Sequence, residues 1–78
     1  MITLQPVQSS TLAAIGYNEG QRLLAVEFAS GDVWHYVAVP KHVWQGLSQS
    51  PSPGAFYARN IRGHFSGAKQ APPPERRA

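Results

Sequence analysis

The sequence predicts a small α+β domain, a three-stranded antiparallel meander followed by two helices packed on one face, in the order βββαα. Three observations carry this. Apolar residues alternate at strand spacing between Leu12 and Val39 and recur at helical spacing between Val43 and Phe65, so the period changes once. Two glycine-bearing turn sequences, Asn18-Glu19-Gly20 and Ala29-Ser30-Gly31, divide the first stretch into three strands. Val39-Pro40 and Ser50-Pro51-Ser52-Pro53-Gly54 punctuate the second stretch into two helices.

The first strand is Leu12-Ala13-Ala14-Ile15-Gly16-Tyr17, with Gly20 available for a positive φ in the turn that follows. The second is Arg22 to Phe28, and the third, Asp32 to Val39, is rich in β-branched and aromatic residues. A two-residue loop between them would set Val26 opposite His35 and leave Trp34 beside Glu27. A three-residue loop puts Gly31 at the left-handed position and aligns Leu24 with Tyr36 and Val26 with Trp34. The second register is preferred because it gathers Leu24, Val26, Phe28, Trp34 and Tyr36 on one face. Burial of such side chains contributes on the order of 1.5 to 3 kcal/mol each. The outer face then carries Ala25, Glu27, Val33 and His35.

Pro40 suits the first turn of a short helix to Ser48, in which Val43, Trp44 and Leu47 form one face while Gly46 lowers its intrinsic stability. Ser52 reads as the N-cap and Pro53 as the first residue of a longer helix. That helix would carry Phe56, Tyr57, Ile61 and Phe65 and end at Gly67. The expected core is Leu24, Val26, Phe28, Trp34, Tyr36, Trp44, Phe56, Ile61 and Phe65. Residues 1–67 form the domain, with Ile2, Leu4 and Val7 able to lay the N-terminal segment against the body. Residues 68–78, with Pro72-Pro73-Pro74, read as a disordered, proline-rich basic tail.

With 78 residues and no cysteine, one core must be held by packing alone, since a chain this short removes only roughly 60 per cent of its surface from water. No apolar run approaches the ~18 residues of a membrane span and no signal peptide is legible, so a cytoplasmic address without membrane association is expected. The net charge of +3 is unevenly distributed. Arg22, Lys41, Arg59 and Arg62 against Glu19, Glu27 and Asp32 leave the body at +1, and Lys69, Arg76 and Arg77 against Glu75 add +2. A body so near neutrality cannot hold a phosphate backbone by net charge; it needs a local cluster.

The series Ser9-Ser10, Ile15-Gly16-Tyr17, Ser30-Gly31, Trp34-His35-Tyr36, Val39-Pro40, Ser52-Pro53-Gly54, Phe56-Tyr57 and Ile61-Arg62-Gly63 resembles the KTSC domain family. That family is named for its occurrence at the C-terminus of some lysyl-tRNA synthetases and is also found as stand-alone proteins. Over about residues 7–65 the chain looks like a stand-alone member, with tryptophan in the first position of a Tyr-x-Tyr-like motif. Ala58 stands where such sequences often have asparagine, and Phe65 where tyrosine is frequent. The resemblance implies a small binding domain, with RNA suggested by the synthetase context.

The residues point away from an enzyme. His35, His42 and His64 lack the spacing of a helical metal motif, no phosphate-cradling glycine loop opens a helix, and strand alternation separates His35 from Asp32, so neither metal, cofactor nor nucleophile relay is expected. Glu27 and His35 would instead approach across the outer face. Arg59 and Arg62, three apart, with His64 nearby and Lys41 as a further cation, form the candidate RNA-contacting set. The alternative is a protein-interaction module using the outer sheet face or the free strand edges, for partner docking or dimerisation.

Overall fold

In a computed structural model, which describes residues 2–70, the domain is α+β: a five-stranded antiparallel sheet with two helices. The strands are β1 (Gln5–Pro6), β2 (Leu12–Asn18), β3 (Leu23–Phe28), β4 (Val33–Tyr36) and β5 (Gly67–Gln70), in the sheet order β1-β2-β3-β4-β5. The helices α1 (Lys41–Gln49) and α2 (Pro53–Asn60) lie between β4 and β5 in the chain. The expected three-stranded meander is therefore the centre of the sheet, and one strand is added at each edge.

The β3–β4 register is the one argued from side-chain pairing: Leu24 faces Tyr36 and Val26 faces Trp34. Gly31 turns the hairpin with φ +101°. In β2 the register slips between Leu12 and Ala14, a bulge that rephases the strand. Leu12, Ile15 and Tyr17, paired with Phe28, Val26 and Leu24, thereby all face the helices. Ala14 and Gly16 turn to the other side with Ala25, and over these small residues crosses the segment 2–4. A Cβ on Gly16 would stand 2.5 Å from Ile2 Cγ2 and 2.6 Å from the Thr3 carbonyl oxygen. Ala25, expected on a polar outer face, is consequently only 2 % exposed. His35 sits opposite Ala25, diagonal to Glu27, and no ion pair joins the two among the described residues.

Four boundaries differ from expectation. The β2–β3 turn takes its positive φ at Arg22 (52°) rather than at a glycine. β4 stops at Tyr36 because Ala38 also adopts a left-handed φ (57°). That bend brings the Val39 N–H to the Arg22 carbonyl oxygen (2.9 Å), while the Tyr17 hydroxyl donates to the Val39 carbonyl oxygen (2.5 Å). α2 ends at Asn60 and not near Phe65: the Ile61 and Arg62 N–H groups both bond the Tyr57 carbonyl oxygen, and Gly63 (φ 79°) turns the chain away. The supposed tail starts late, since residues 67–70 pair with β4 and satisfy backbone groups that a three-stranded sheet would leave open. The remaining tail, with Pro72-Pro73-Pro74 and both its arginines, lies outside the described residues.

The buried core comprises Leu12, Ile15, Leu24, Val26, Tyr36, Val39, Leu47, Tyr57 and Ile61. Of the expected core, Leu24, Val26, Tyr36 and Ile61 are buried, whereas Phe28, Trp34, Trp44, Phe56 and Phe65 are half-buried at its margin. For Phe28, Trp34 and Phe65 the reason is the length of α2: eight residues cover about 12 Å, too little to roof the whole sheet. Among the described residues no helix is long and apolar enough to cross a membrane.

Candidate functional site

Where the helical roof stops short, the sheet opens into a cleft of about 670 Å³. Phe28, Trp34 and Tyr36 contribute its sheet side, and Tyr57, Ala58 and the turn residues Arg62, Gly63 and Phe65 its helix side. Strand alternation explains the first group: Trp34 and Tyr36 are two residues apart on β4 and share a face, and their rings stack with centroids 6.3 Å apart and planes 20° apart. The left-handed turn at Gly63 explains the second, because it folds residues 61–66 back over the sheet instead of prolonging α2. Gly67 in β5 faces Tyr36, and a Cβ there would overlap the Tyr36 ring. The absence of a side chain at this position lets β5 close the edge without filling the cleft.

Tyr36 and Tyr57 join the cleft to the core. Their rings meet edge to face at 6.0 Å, Phe28 packs edge to face on Tyr57 at 5.3 Å, and the two tyrosine hydroxyls hydrogen-bond to each other. Burial pushes the Tyr36 phenol well above the usual tyrosine range. The hydrogen bond to Tyr57 and the proximity of a second phenol add to this, and the Arg62 guanidinium opposes it. At neutral pH Tyr36 is thus a protonated donor with a cation in electrostatic reach.

Only part of the candidate RNA-contacting set meets here. Arg62 lines the cleft. Arg59, three residues earlier in the last turn of α2, is exposed outside it, since the helix that would have aligned the two ends between them. His64 is exposed in the following turn and is not part of the lining. Lys41 is not part of the lining either and pairs with Glu19 of the β2–β3 turn at 3.3 Å. Two features escaped the sequence reading. Trp34, Phe28 and Phe65 are cleft walls as well as margin of the core. Lys69, assigned to the tail, is brought by β5 directly across from Trp34, where it pairs with Asp32 at 3.5 Å. Nothing local in the sequence marks Gly67-Ala68-Lys69-Gln70 as a strand; the signal is the otherwise unpaired edge of β4.

The serines and histidines have other surroundings. Ser9 Oγ accepts the Thr11 and Leu12 N–H groups (3.1 and 3.2 Å), so it shapes the approach to β2. Ser30 donates to Asp32 inside the hairpin turn at 3.5 Å, while His35 belongs to the outer face, beside Ile2 and Leu4.

Residues 8–65 match the KTSC domain. The chain belongs to the KTSC domain family. The crystal structure of KTSC domain protein YPO2434 from Yersinia pestis superposes on this KTSC domain with a TM-score of 0.88 at 31% identity, covering 91% of this chain and all of that one. An uncharacterised protein of Stutzerimonas stutzeri is 43% identical over 51 residues, which span 65% of this chain and 72% of its own. A lysine--tRNA ligase of Nostoc punctiforme is 33% identical over 58 residues, 74% of this chain but 10% of the ligase. Ala58 and Phe65 both line the cleft and give its wall apolar surface.

Proposed function

We propose that this KTSC domain is a non-enzymatic RNA-binding module that takes one unstacked base of a single strand into the cleft. The observation that carries this reading is the convergence of three half-buried aromatic rings, Phe28, Trp34 and Phe65, with the Arg62 guanidinium around one opening. Single-stranded RNA is recognised by stacking on aromatic side chains beside cations that meet phosphates, and each stacked base contributes on the order of 1 to 3 kcal/mol. A volume of about 670 Å³ lies within the ordinary range of ligand sites and admits a nucleobase with its ribose outside. The kinship with part of a ligase that by its name acts on tRNA points the same way.

The near-neutral body sets the character of the interaction. With Arg62 the one cation lining the cleft among the described residues, affinity rests mainly on stacking and falls gently with salt, with a log-log slope of about −0.7 for one phosphate on a single strand. Protein interaction through strand edges has less to work with, because the outer edges belong to β1 and β5, strands of two and four residues that offer only short ladders, and the segment 2–4 covers part of the outer face.

The test is an NMR titration of the labelled chain with short single-stranded and structured RNAs at two salt concentrations. Shifts at the Trp34 indole, Arg62 and Gly63, with the Trp44 indole unmoved, are expected for the single strands. Trp44 stacks on Tyr17 (5.7 Å, 8°) outside the cleft and serves as the internal control. No shift at low salt with either kind of RNA would overturn the proposal.

A further inference from the structure

The hydroxyls of Tyr36 and Tyr57 carry two hydrogens between them, and their mutual bond consumes one. Among the described residues neither hydroxyl has another protein partner. The pair is buried, with Tyr36 5 % and Tyr57 8 % exposed, and both residues line the cleft, so that side is open to the second hydrogen. On that open side water can accept this hydrogen, and an acceptor atom of an entering molecule takes the water's place.

We infer that the Tyr36–Tyr57 pair is the reading element of the cleft: its unshared hydroxyl hydrogen bonds a neutral carbonyl oxygen on the edge of a flat ring held against the Trp34 side of the cleft. This inference rests on the RNA reading for its source of such rings, the carbonyl-bearing bases. A neutral acceptor fits better than an anionic one because the pair sits at a largely apolar and buried floor, where desolvating a charge is expensive. The cation of the site, Arg62, is exposed at the rim, where a phosphate keeps its contact with water. Burial also suppresses ionisation of Tyr36, which preserves the donor across the whole neutral range.

The pairing makes an unusual demand on mutagenesis. Either hydroxyl alone retains a hydrogen to offer, so Tyr36→Phe and Tyr57→Phe should each leave ligand affinity within about twofold of the parent, while each lowers the urea midpoint by stranding a buried hydroxyl. Tyr36→Phe/Tyr57→Phe should restore the urea midpoint toward the parent, because both partners are replaced by apolar groups of the same shape, yet weaken binding about fivefold to tenfold. Stability and affinity thus rank the variants in opposite orders, which a purely structural pair cannot do.

The experiment follows the backbone and Trp34 indole signals of the full chain and the three variants with two probes, octauridylate and benzamide, a neutral ring with one carbonyl oxygen. Weakening of both probes by about fivefold to tenfold in the double variant alone is the expected result. Octauridylate bound equally by parent and double variant overturns the reading element and leaves RNA binding standing. Benzamide bound through the pair, with octauridylate leaving the cleft unshifted, overturns RNA binding and leaves the reading element standing. Neither probe reaching the cleft overturns both.

Discussion

The two halves of the sheet are built from similar residues and end in different states. Across β2 and β3, Leu12, Ile15, Leu24 and Val26 are sealed beneath Leu47 of α1 and Ile61 at the end of α2. Across β4 and β5 the corresponding face carries Trp34 and Tyr36, and there the roof is missing. Large aromatics suit that margin because a ring can bury one face in the core and leave the other free. The sealed packing and the open cleft thus lie in different halves of one sheet, linked by the β3–β4 ladder and by the contacts of Tyr57 with Tyr36 and Phe28.

The largest expected effect is on the sealed half. Leu24→Ala or Ile61→Ala removes a fully buried side chain and should cost about 2 to 5 kcal/mol, comparable to the whole stability of a domain this small, as read by urea denaturation. Trp34→Ala should reverse the pattern, costing distinctly less in urea while removing about 1 to 3 kcal/mol of single-strand binding. Equal urea midpoints for Leu24→Ala and Trp34→Ala would erase the distinction between the halves.

An intermediate effect should come from the outer face. Gly16→Val drives a side chain into Ile2 and the Thr3 carbonyl, and displacement of the segment 2–4 should cost about 1 to 3 kcal/mol in a thermal melt, with faster amide exchange in that segment. RNA titration should be unchanged, since the cleft opens on the other side of the sheet.

The joint between the halves has a pH signature. Tyr36 is held protonated in the folded state, above its unfolded value, so the unfolded chain releases this proton first as pH rises. The stability it lends is fully present below about pH 10 and is lost progressively above that. A urea midpoint that falls from pH 10 upward in the parent, and falls less in Tyr36→Phe, is the expected outcome.

The smallest effects separate the cations. Arg62→Gln should flatten the salt dependence of RNA binding by about 0.7 in slope with little change in stability. Lys41→Gln should leave binding alone and alter stability by no more than a few tenths of a kcal/mol, because its pair with Glu19 is solvent-exposed and remote from the cleft. An equal loss of RNA affinity in the two variants would return Lys41 to the site.

Much of the fold follows from period and pairing. The three central strands, the hairpin register, the N-cap at Ser52 and the buried Leu24, Val26 and Ile61 are all legible, because each is set by neighbours a few residues away in the chain or directly opposite in a hairpin. The candidate site was legible in its ingredients and not in its grouping. Arg59, Arg62, His64 and Lys41 were joined by proximity in sequence and by sign of charge, whereas of these four the chain turn at Gly63 brings Arg62 alone to the cleft, and β5 sets Lys69 across from Trp34, paired with Asp32.

The order of periods, the left-handed turn at Gly31 and the apolar face of the β3–β4 hairpin were thus determined by the amino-acid sequence itself, since they depend on local backbone preference and strand alternation. The length of α2, the two added edge strands, the burial of Ala25 and the opening beside Trp34 were decided only in the tertiary structure. Each depends on how much sheet a helix must cover and where unpaired backbone finds a partner, quantities that arise only when distant segments meet.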